Sequence, residues 1–371
     1  ASPYNAYFDG PNKELGIITT GISFNYLSEN YPDGFEHPVL QISQYPLPRK
    51  MVEKIVRECK EILVLEEGYP VVEEQLKGFL GIGIQVHGRL DGTLQRDGEL
   101  TPDAVGKALG KRIESYYATP EVVEQRPPAL CQGCGHRDMY EALNEVLSGY
   151  KGAKVFGDIG CYTLGNAMPL DMVDTCLCMG AGITMAQGFH WTDNDGVCFG
   201  FVGDSTFFAS GMTGIVNAVY NNADMVLCVF DNSTTAMTGH QPHPGIGRNL
   251  MGQIVDKVDI AKVLEGIGVK KVVTVNPLDL DASVKAVQEC ADIPGVKAVI
   301  FKSPCIAISK PTAKCSISDK CVQCKKCIRE IGCPALIIAD GKVTIDSGLC
   351  TGCGLCSQVC PVNAIGGGAD E

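Results

Sequence analysis

Tryptophan is nearly missing from this 371-residue chain: Trp191 is its one copy, and aromatic residues make up only 7%. No apolar run approaches the roughly 18 residues that a membrane-crossing helix needs, so no membrane role is expected. The N-terminus carries neither the basic nor the apolar stretch of a secretory signal. It also has no initiating Met, which reads as a processed chain or a piece of a longer one. Positive charge is in deficit as well. A net charge of −12 argues against nucleic-acid binding, because phosphate contacts need clustered Lys and Arg.

Cysteine, by contrast, is abundant. The chain has 19 of them. In a small secreted domain that count would mean disulfides, but here the chain is long and many cysteines stand two residues apart, so metal is the better reading. A reducing interior follows, the cytoplasm of an oxygen-avoiding cell. Apolar residues at 45% suffice for real cores, and the length suggests two or three domains.

Three segments differ in pattern. Residues 1–120 alternate strand-like stretches (Leu15–Thr19, Val39–Ser43, Glu61–Glu66, Ile82–Val86) with helix-like ones, one of them opening at Pro48. Residues 121–310 repeat this at larger scale, with continuous apolar runs at Lys154–Phe156, Val197–Val202, Met225–Phe230, Val269–Val275 and Ala298–Lys302, as expected of strands buried on both faces. Helices are expected between them, for example over Gly211–Tyr220 and Pro277–Glu289. The predicted fold class is therefore α/β, with two parallel-sheet domains. Between them, Thr119-Pro120 and Arg126-Pro127-Pro128 read as a linker. Residues 311–371 are short and cysteine-rich, and metal rather than apolar burial should hold them together.

That last segment has two four-cysteine runs: Cys321-x2-Cys324-x2-Cys327-x5-Cys333-Pro334 and Cys350-x2-Cys353-x2-Cys356-x3-Cys360-Pro361. Two-residue spacing presents three thiolates to one cubane, and the fourth Cys, before Pro, ligates the other cluster of the pair. One 4Fe-4S cluster is thus assigned Cys321, Cys324, Cys327 and Cys360, the other Cys350, Cys353, Cys356 and Cys333. The five-residue gap before Cys333 departs from the usual three. Structural zinc is the competing reading, but zinc sites use one or two CxxC pairs rather than doubled triplets closed by Cys-Pro. The segment is read as a small two-cluster, ferredoxin-like α+β domain. Nearby, Lys310, Lys314, Lys320, Lys325, Lys326 and Arg329 outnumber Asp319 and Glu330. This is either a docking face for an acidic redox partner or a solvated surface that offsets cluster charge.

In the middle segment, Gly203-Asp204-Ser205 ends one apolar run and Asp231-Asn232-Ser233-Thr234 ends another. Ligands bind at strand ends in parallel sheets. A Mg²⁺ ion wants oxygen ligands and shares substrate phosphates. Asp204, Asn232 and a carbonyl near Thr234 would supply one face, and Gly203 would let the backbone approach a diphosphate. The pairing is similar to the thiamin diphosphate motif, GDG followed by Asn, with Ser205 in place of the last Gly.

Further stretches resemble one family. Leu130-Cys131-Gln132-Gly133-Cys134-Gly135-His136-Arg137, the segment Gly157–Gly165, the segment Asn232–Pro242 and Leu15–Gly21 are similar to segments of the 2-oxoacid:ferredoxin oxidoreductases, the indolepyruvate branch in particular. The resemblance covers essentially the whole chain. It implies a transketolase C-terminal-like domain over 1–120, a thiamin diphosphate-binding domain over 121–310 and the two-cluster domain over 311–371. It also implies a proximal 4Fe-4S cluster on Cys131, Cys134, Cys161 and Cys305, with Cys315 a rival for the fourth place. Without that cluster, the same cysteines would be buried thiols and a CxxC pair. Cys59, Cys176, Cys178, Cys198, Cys228 and Cys290 are expected mostly as small core residues.

The implied activity is conversion of an arylpyruvate such as indolepyruvate, with coenzyme A and oxidised ferredoxin, to an aryl-acetyl-CoA, CO₂ and reduced ferredoxin. The implied cofactors are thiamin diphosphate, Mg²⁺ and the clusters. The family's first domain, which binds the pyrimidine of thiamin, is not found in these residues. A β/γ-type subunit and that domain or chain are the expected partners in a hetero-oligomer. His136, His240, His243 and Gln241 are candidates to orient diphosphate or substrate, and Arg137 and Gly160 to contact the cofactor. Two other readings stay open: an electron relay with an incomplete thiamin site, and a related thiamin and iron-sulfur dehydrogenase, such as an arylglyoxylate dehydrogenase, with another substrate or acceptor.

Overall fold

The structure is a computed structural model, described here for residues 2–79, 83–111, 120–123, 127–192, 196–310 and 312–367. Two compact units divide after Glu124. Thr119 and Arg126 of the linker, and Ile82 at the start of the fourth expected strand, lie outside the described residues.

The first unit holds a five-stranded sheet of β1 (Ala6–Phe8), β2 (Leu15–Thr20), β3 (Val39–Ile42), β4 (Glu61–Leu65) and β5 (Gln85–His87), in the order β1-β3-β2-β4-β5. All pairings are parallel except β1 with β3. The antiparallel edge strand is not legible in sequence, because three half-buried residues carry no period. Helix Arg49–Glu58 begins directly after Pro48, whose fixed φ suits a helix start.

In the second unit a six-stranded sheet of β6 (Lys154–Gly157), β7 (Thr175–Cys176), β8 (Cys198–Gly203), β9 (Met225–Asp231), β10 (Lys271–Val275) and β11 (Val296–Lys302) runs β10-β11-β9-β8-β6-β7, all parallel. Every residue of β8 and β9 is buried. Phe199 and Phe201 face one layer of helices, Gly135–Leu147 and Leu280–Ala291. Cys198 and Val202 face the other, Ala181–His190, Met212–Tyr220 and Ile260–Ile267. A strand covered on both faces has no polar side to show, hence the unbroken apolar runs.

Strand order reverses between β6 and β8: the chain leaves β6 for β7 on one side and returns to lay β8 on the other. A crevice opens at the carboxyl ends of strands at such a switch point. Asp158 follows β6 there and Asp204 follows β8.

The cysteine-rich tail adds two small antiparallel ladders, β12 (Ser316–Ile317) with β15 (Ile365–Gly366) and β13 (Leu336–Ala339) with β14 (Lys342–Ile345). Its apolar core has four buried residues, Ile331, Leu336, Leu355 and Val359, with Cys327, Cys333, Cys353 and Cys356 packed against them. Elsewhere, Cys59, Cys198, Cys228 and Cys290 are buried. Cys176 and Cys178 correct the expectation of core residues: both are exposed, because the two-residue β7 lies at the sheet edge. No disulfide joins any of the 19 cysteines. Among the described residues, no helix is long and apolar enough to cross a membrane.

Candidate functional site

Asp204 sits 3% exposed at the switch point. Its two carboxylate oxygens accept the Ser205 N–H at 2.7 Å and the Ser233 N–H at 2.8 Å. Ser233 reaches that position in a left-handed conformation, φ 61°. His243 Nδ1 accepts the Gly245 N–H, which leaves Nε2 carrying the ring proton in the neutral form. That Nε2 lies 3.1 Å from Asp204 Oδ2, off the line of a hydrogen bond. Asp231 stands beside Asp204; burial first, and then its neighbour's charge, push the Asp231 carboxyl up. Two acidic groups at one strand-end crevice are what a cation would relieve. Sequence reading places Asp231 in the strand-end stretch with Asn232 but gives it no role, because only the fold brings it beside Asp204.

Asp204, Ser205, Asn232, Thr234 and Gly160 line one cavity of about 180 Å³. Asn232 Oδ1 accepts the Thr234 N–H at 3.2 Å, holding that turn. The hydroxyl of Ser205 accepts a hydrogen bond from Thr235 at 2.9 Å, so the departure from the motif's Gly is used structurally. Gly203 has a steric reason besides the expected one. A Cβ on it would meet the Tyr162 ring at 2.8 Å, and one on Gly160 would meet the same ring at 2.4 Å. The two glycines make room for Tyr162, whose hydroxyl accepts the Gly203 N–H and donates to Asp158.

Asp158 was not singled out from sequence, although it stands after an apolar run as Asp204 does. Burial pushes its carboxyl up to about 6, against hydrogen bonds from Tyr162 and the Gly180 N–H. The native chain therefore holds a proton between pH ~4 and ~6 that the unfolded chain has lost, and stability falls as pH rises through that window. Asp158→Asn should flatten this dependence. Urea midpoints at pH 4.5 and 7 should differ less in the variant than in the parent, by up to about 2 kcal/mol when converted to stability. Equal differences would show that Asp158 does not titrate there.

A second cavity, of about 280 Å³, is lined by Cys131, Cys134, Cys161 and Cys305 together with His136 and His240. The structure thus places Cys305, and not Cys315, with the other three. Cys305 is fixed by its N–H donating to Asn232 O at 2.9 Å. Burial pushes the Cys134 and Cys161 thiols up to about 11. His136 Nδ1 lies 3.4 Å from Cys134 Sγ, its Nε2 is buried without a partner, and burial pulls the imidazole down to about 4. Cys161 and Asn232 form part of both cavities, so the two sites share a wall. Gln241 is bound instead to Thr238, accepting from its hydroxyl and donating to its carbonyl.

Arg137 is corrected by the structure. It was a candidate for diphosphate contact, but its guanidinium turns the other way and donates to Leu130 O, Cys131 O and, at 2.8 Å, Ile331 O in the tail. It ties the Cys131–Cys134 loop to the cysteine-rich domain. Gly133 brings the two closer still: a Cβ there would meet Thr351 Oγ1 at 1.8 Å.

In the tail, Cys333, Cys350, Cys353 and Cys356 line one cavity, and Cys315 joins them. Cys321, Cys324 and Cys360 lie near enough to Cys327 to raise its thiol further, after burial. Burial opposes ionisation of Cys360, but backbone N–H groups led by that of Ala364 outweigh it and hold the thiol below its usual range. Among the described residues, no three His, Cys, Asp or Glu side chains gather as ligands of one ion. A cubane takes one thiolate at each iron, so its ligands stand around a space rather than meeting at a point. Mg²⁺ likewise takes one or two carboxylates and completes its shell with phosphate and water. The donor sets suit both groups.

Residues 158–300 match the family described as thiamine pyrophosphate enzyme, C-terminal TPP binding domain, and residues 343–366 match the 4Fe-4S binding domain. The indolepyruvate oxidoreductase subunit IorA of Methanothermobacter thermautotrophicus is 37% identical over 98% of this chain and 62% of its own length. That of Pyrococcus abyssi is 33% identical over the same shares. The pyruvate synthase subunit PorD of Methanothermobacter marburgensis is 47% identical over 13% of this chain and 54% of its own. A solved 2-oxoglutarate:ferredoxin oxidoreductase from Magnetococcus marinus is similar with a TM-score of 0.44 and 17% identity, over 50% of this chain and 67% of that one. The chain spans about three fifths of the length of the curated relatives it matches. Along nearly all of its own length it resembles the A subunit of indolepyruvate oxidoreductases, with a thiamine pyrophosphate enzyme domain in the middle and a 4Fe-4S binding domain near its end.

Proposed function

We propose that this chain is the thiamin- and cluster-bearing part of a cytoplasmic, hetero-oligomeric oxidoreductase that decarboxylates an arylpyruvate to an aryl-acetyl-CoA and passes the electrons to ferredoxin. The observation that carries the reading is the wall shared by the two cavities: a buried carboxylate at a strand-end crevice lies one residue layer from four cysteines. When bound, thiamin diphosphate supplies the chemistry that breaks the bond between the carboxylate and keto carbons of a 2-oxoacid, and 4Fe-4S clusters accept electrons one at a time.

The chain's own residues do the rest. Asp204, Asn232 and a carbonyl at Thr234 hold Mg²⁺ and through it the diphosphate. His243 stacks on Phe208 and keeps its Nε2 beside the Asp204 carboxylate. His136, held neutral by burial, puts no positive charge beside the cation. Cys131, Cys134, Cys161 and Cys305 hold the proximal cluster. Cys350, Cys353, Cys356 and Cys333 hold the next, and Cys321, Cys324, Cys327 and Cys360 the outermost. Met237, which lines the cavity of Asp204, and Leu250, Met251 and Ile254 further along the chain expose apolar surface of the kind that a further domain or subunit covers. That cover would bring the pyrimidine-binding half.

The test is an anaerobic assay of the assembled complex with indolepyruvate, coenzyme A and a viologen dye. Reduction of the dye that requires both substrate and coenzyme A is expected. Release of CO₂ without dye reduction would refute the oxidoreductase reading.

A further inference from the structure

The tail cavity holds one sulfur too many. A 4Fe-4S cluster takes four thiolates, and five cysteines line the space: Cys333, Cys350, Cys353, Cys356 and Cys315. Cys315 precedes the short strand Ser316–Ile317, whose pairing with Ile365–Gly366 fixes its place. It is 7% exposed, and its thiol reaches Gly367 O at 3.5 Å. It also shares a hydrogen bond with the side chain of Cys356. A second feature marks the cavity as built around a ligand. Asp138 lines it, fully buried, and neither of its carboxyl oxygens has a partner.

We propose that Cys315 is a fifth, non-ligating sulfur at this cluster, its S–H donating a hydrogen bond to the iron-bound sulfur of Cys356 and raising the reduction potential of that cluster. The inference rests on the assignment of a 4Fe-4S cluster to Cys333, Cys350, Cys353 and Cys356 made above. Once Cys356 is bound to iron it has no proton and accepts only, so the Cys315 proton has a charged sulfur as acceptor in place of a distant carbonyl. Charge-assisted hydrogen bonds are the stronger kind. Hydrogen bonds to cluster sulfurs are among the determinants of potential, because they stabilise the added electron. The other tail set has donors of a different type: the Ala364 N–H and the Gln323 side-chain amide, each 3.3 Å from a cysteine sulfur. At the set of Cys333, Cys350, Cys353 and Cys356, Arg137 is spent on carbonyls, and the Cys315 thiol is a donor beside Cys356.

Cys315→Ala and Cys315→Ser in the whole chain, loaded with iron and sulfide anaerobically, test this by iron content and by a redox titration followed by electron paramagnetic resonance. The expected result is unchanged iron in both variants, a downward shift in the midpoint potential of one cluster in Cys315→Ala, and partial recovery in Cys315→Ser, whose hydroxyl still donates. A loss of about four irons per chain in Cys315→Ala would make Cys315 a ligand and overturn the proposal, as would unaltered potentials in both variants. Failure of the underlying assignment would show in the parent chain alone, as a cluster missing before any substitution.

Discussion

Asp204→Asn is expected to lower the affinity of the assembled complex for Mg²⁺ and thiamin diphosphate by about 100-fold or more, with iron content unchanged. The size follows from the role. Removing a residue that only supports a metal ligand costs 10–100-fold in affinity, and Asp204 is proposed as the ligand itself. Asn is the right substitution because the carboxylate also serves the fold. Its oxygens accept the Ser205 and Ser233 N–H groups, and Ala would leave two buried donors unpaired at about 1–3 kcal/mol each. Asn retains one acceptor and the shape, while removing the charge that attracts the cation and that Asp231 now faces. Cofactor retained after gel filtration, with thermal melting as the control for folding, measures the effect. Normal retention in a folded variant would remove Asp204 from the cation site.

The strands that carry this site were the easiest to read, for a physical reason. Met225–Asp231 and Cys198–Gly203 are covered by helices on both sides, so their sequences are unbroken apolar runs and their polar ends stand out. The edge strands Ala6–Phe8 and Thr175–Cys176 pair on one side only and are too short for any period to register. Two-residue cysteine spacing is a local signal and was legible. The direction in which Arg137 points is not local: its partner Ile331 O lies in another segment of the chain, and only the fold brings it near. Tyr162 was hidden for the same reason. Its importance lies in the space that Gly160 and Gly203 leave for its ring, and a glycine in a sequence does not say which neighbour it is avoiding.

The second large effect is expected on removal of iron. Chelation under reducing conditions should leave residues 312–367 open to protease while the six-stranded sheet stays intact. Four buried apolar side chains, Ile331, Leu336, Leu355 and Val359, are a small core for a segment of this size, and domains this small are usually held by metal or disulfides. Four of the seven partly buried residues packed against that core are cysteines, and each of them, Cys327, Cys333, Cys353 and Cys356, is proposed to be tied to a cluster. Deprived of iron, Cys327 and Cys353 become thiols that burial disfavours ionising, and Cys356 one that its hydrogen bond with Cys315 and then burial hold protonated, with no bonds to replace those to metal. The ladders Ser316–Ile317 with Ile365–Gly366 and Leu336–Ala339 with Lys342–Ile345 are two-stranded, and isolated pairs are marginal in water. The sheet of the same unit has helices on both faces and needs no metal for its core. Limited proteolysis read by mass spectrometry, with and without chelator, should show cuts appearing within the tail and none in Met225–Asp231 or Val296–Lys302. A tail that resists protease after its iron is gone would mean that apolar packing, together with the Arg137 tie to Ile331, holds it, and that the clusters there serve electron transfer alone.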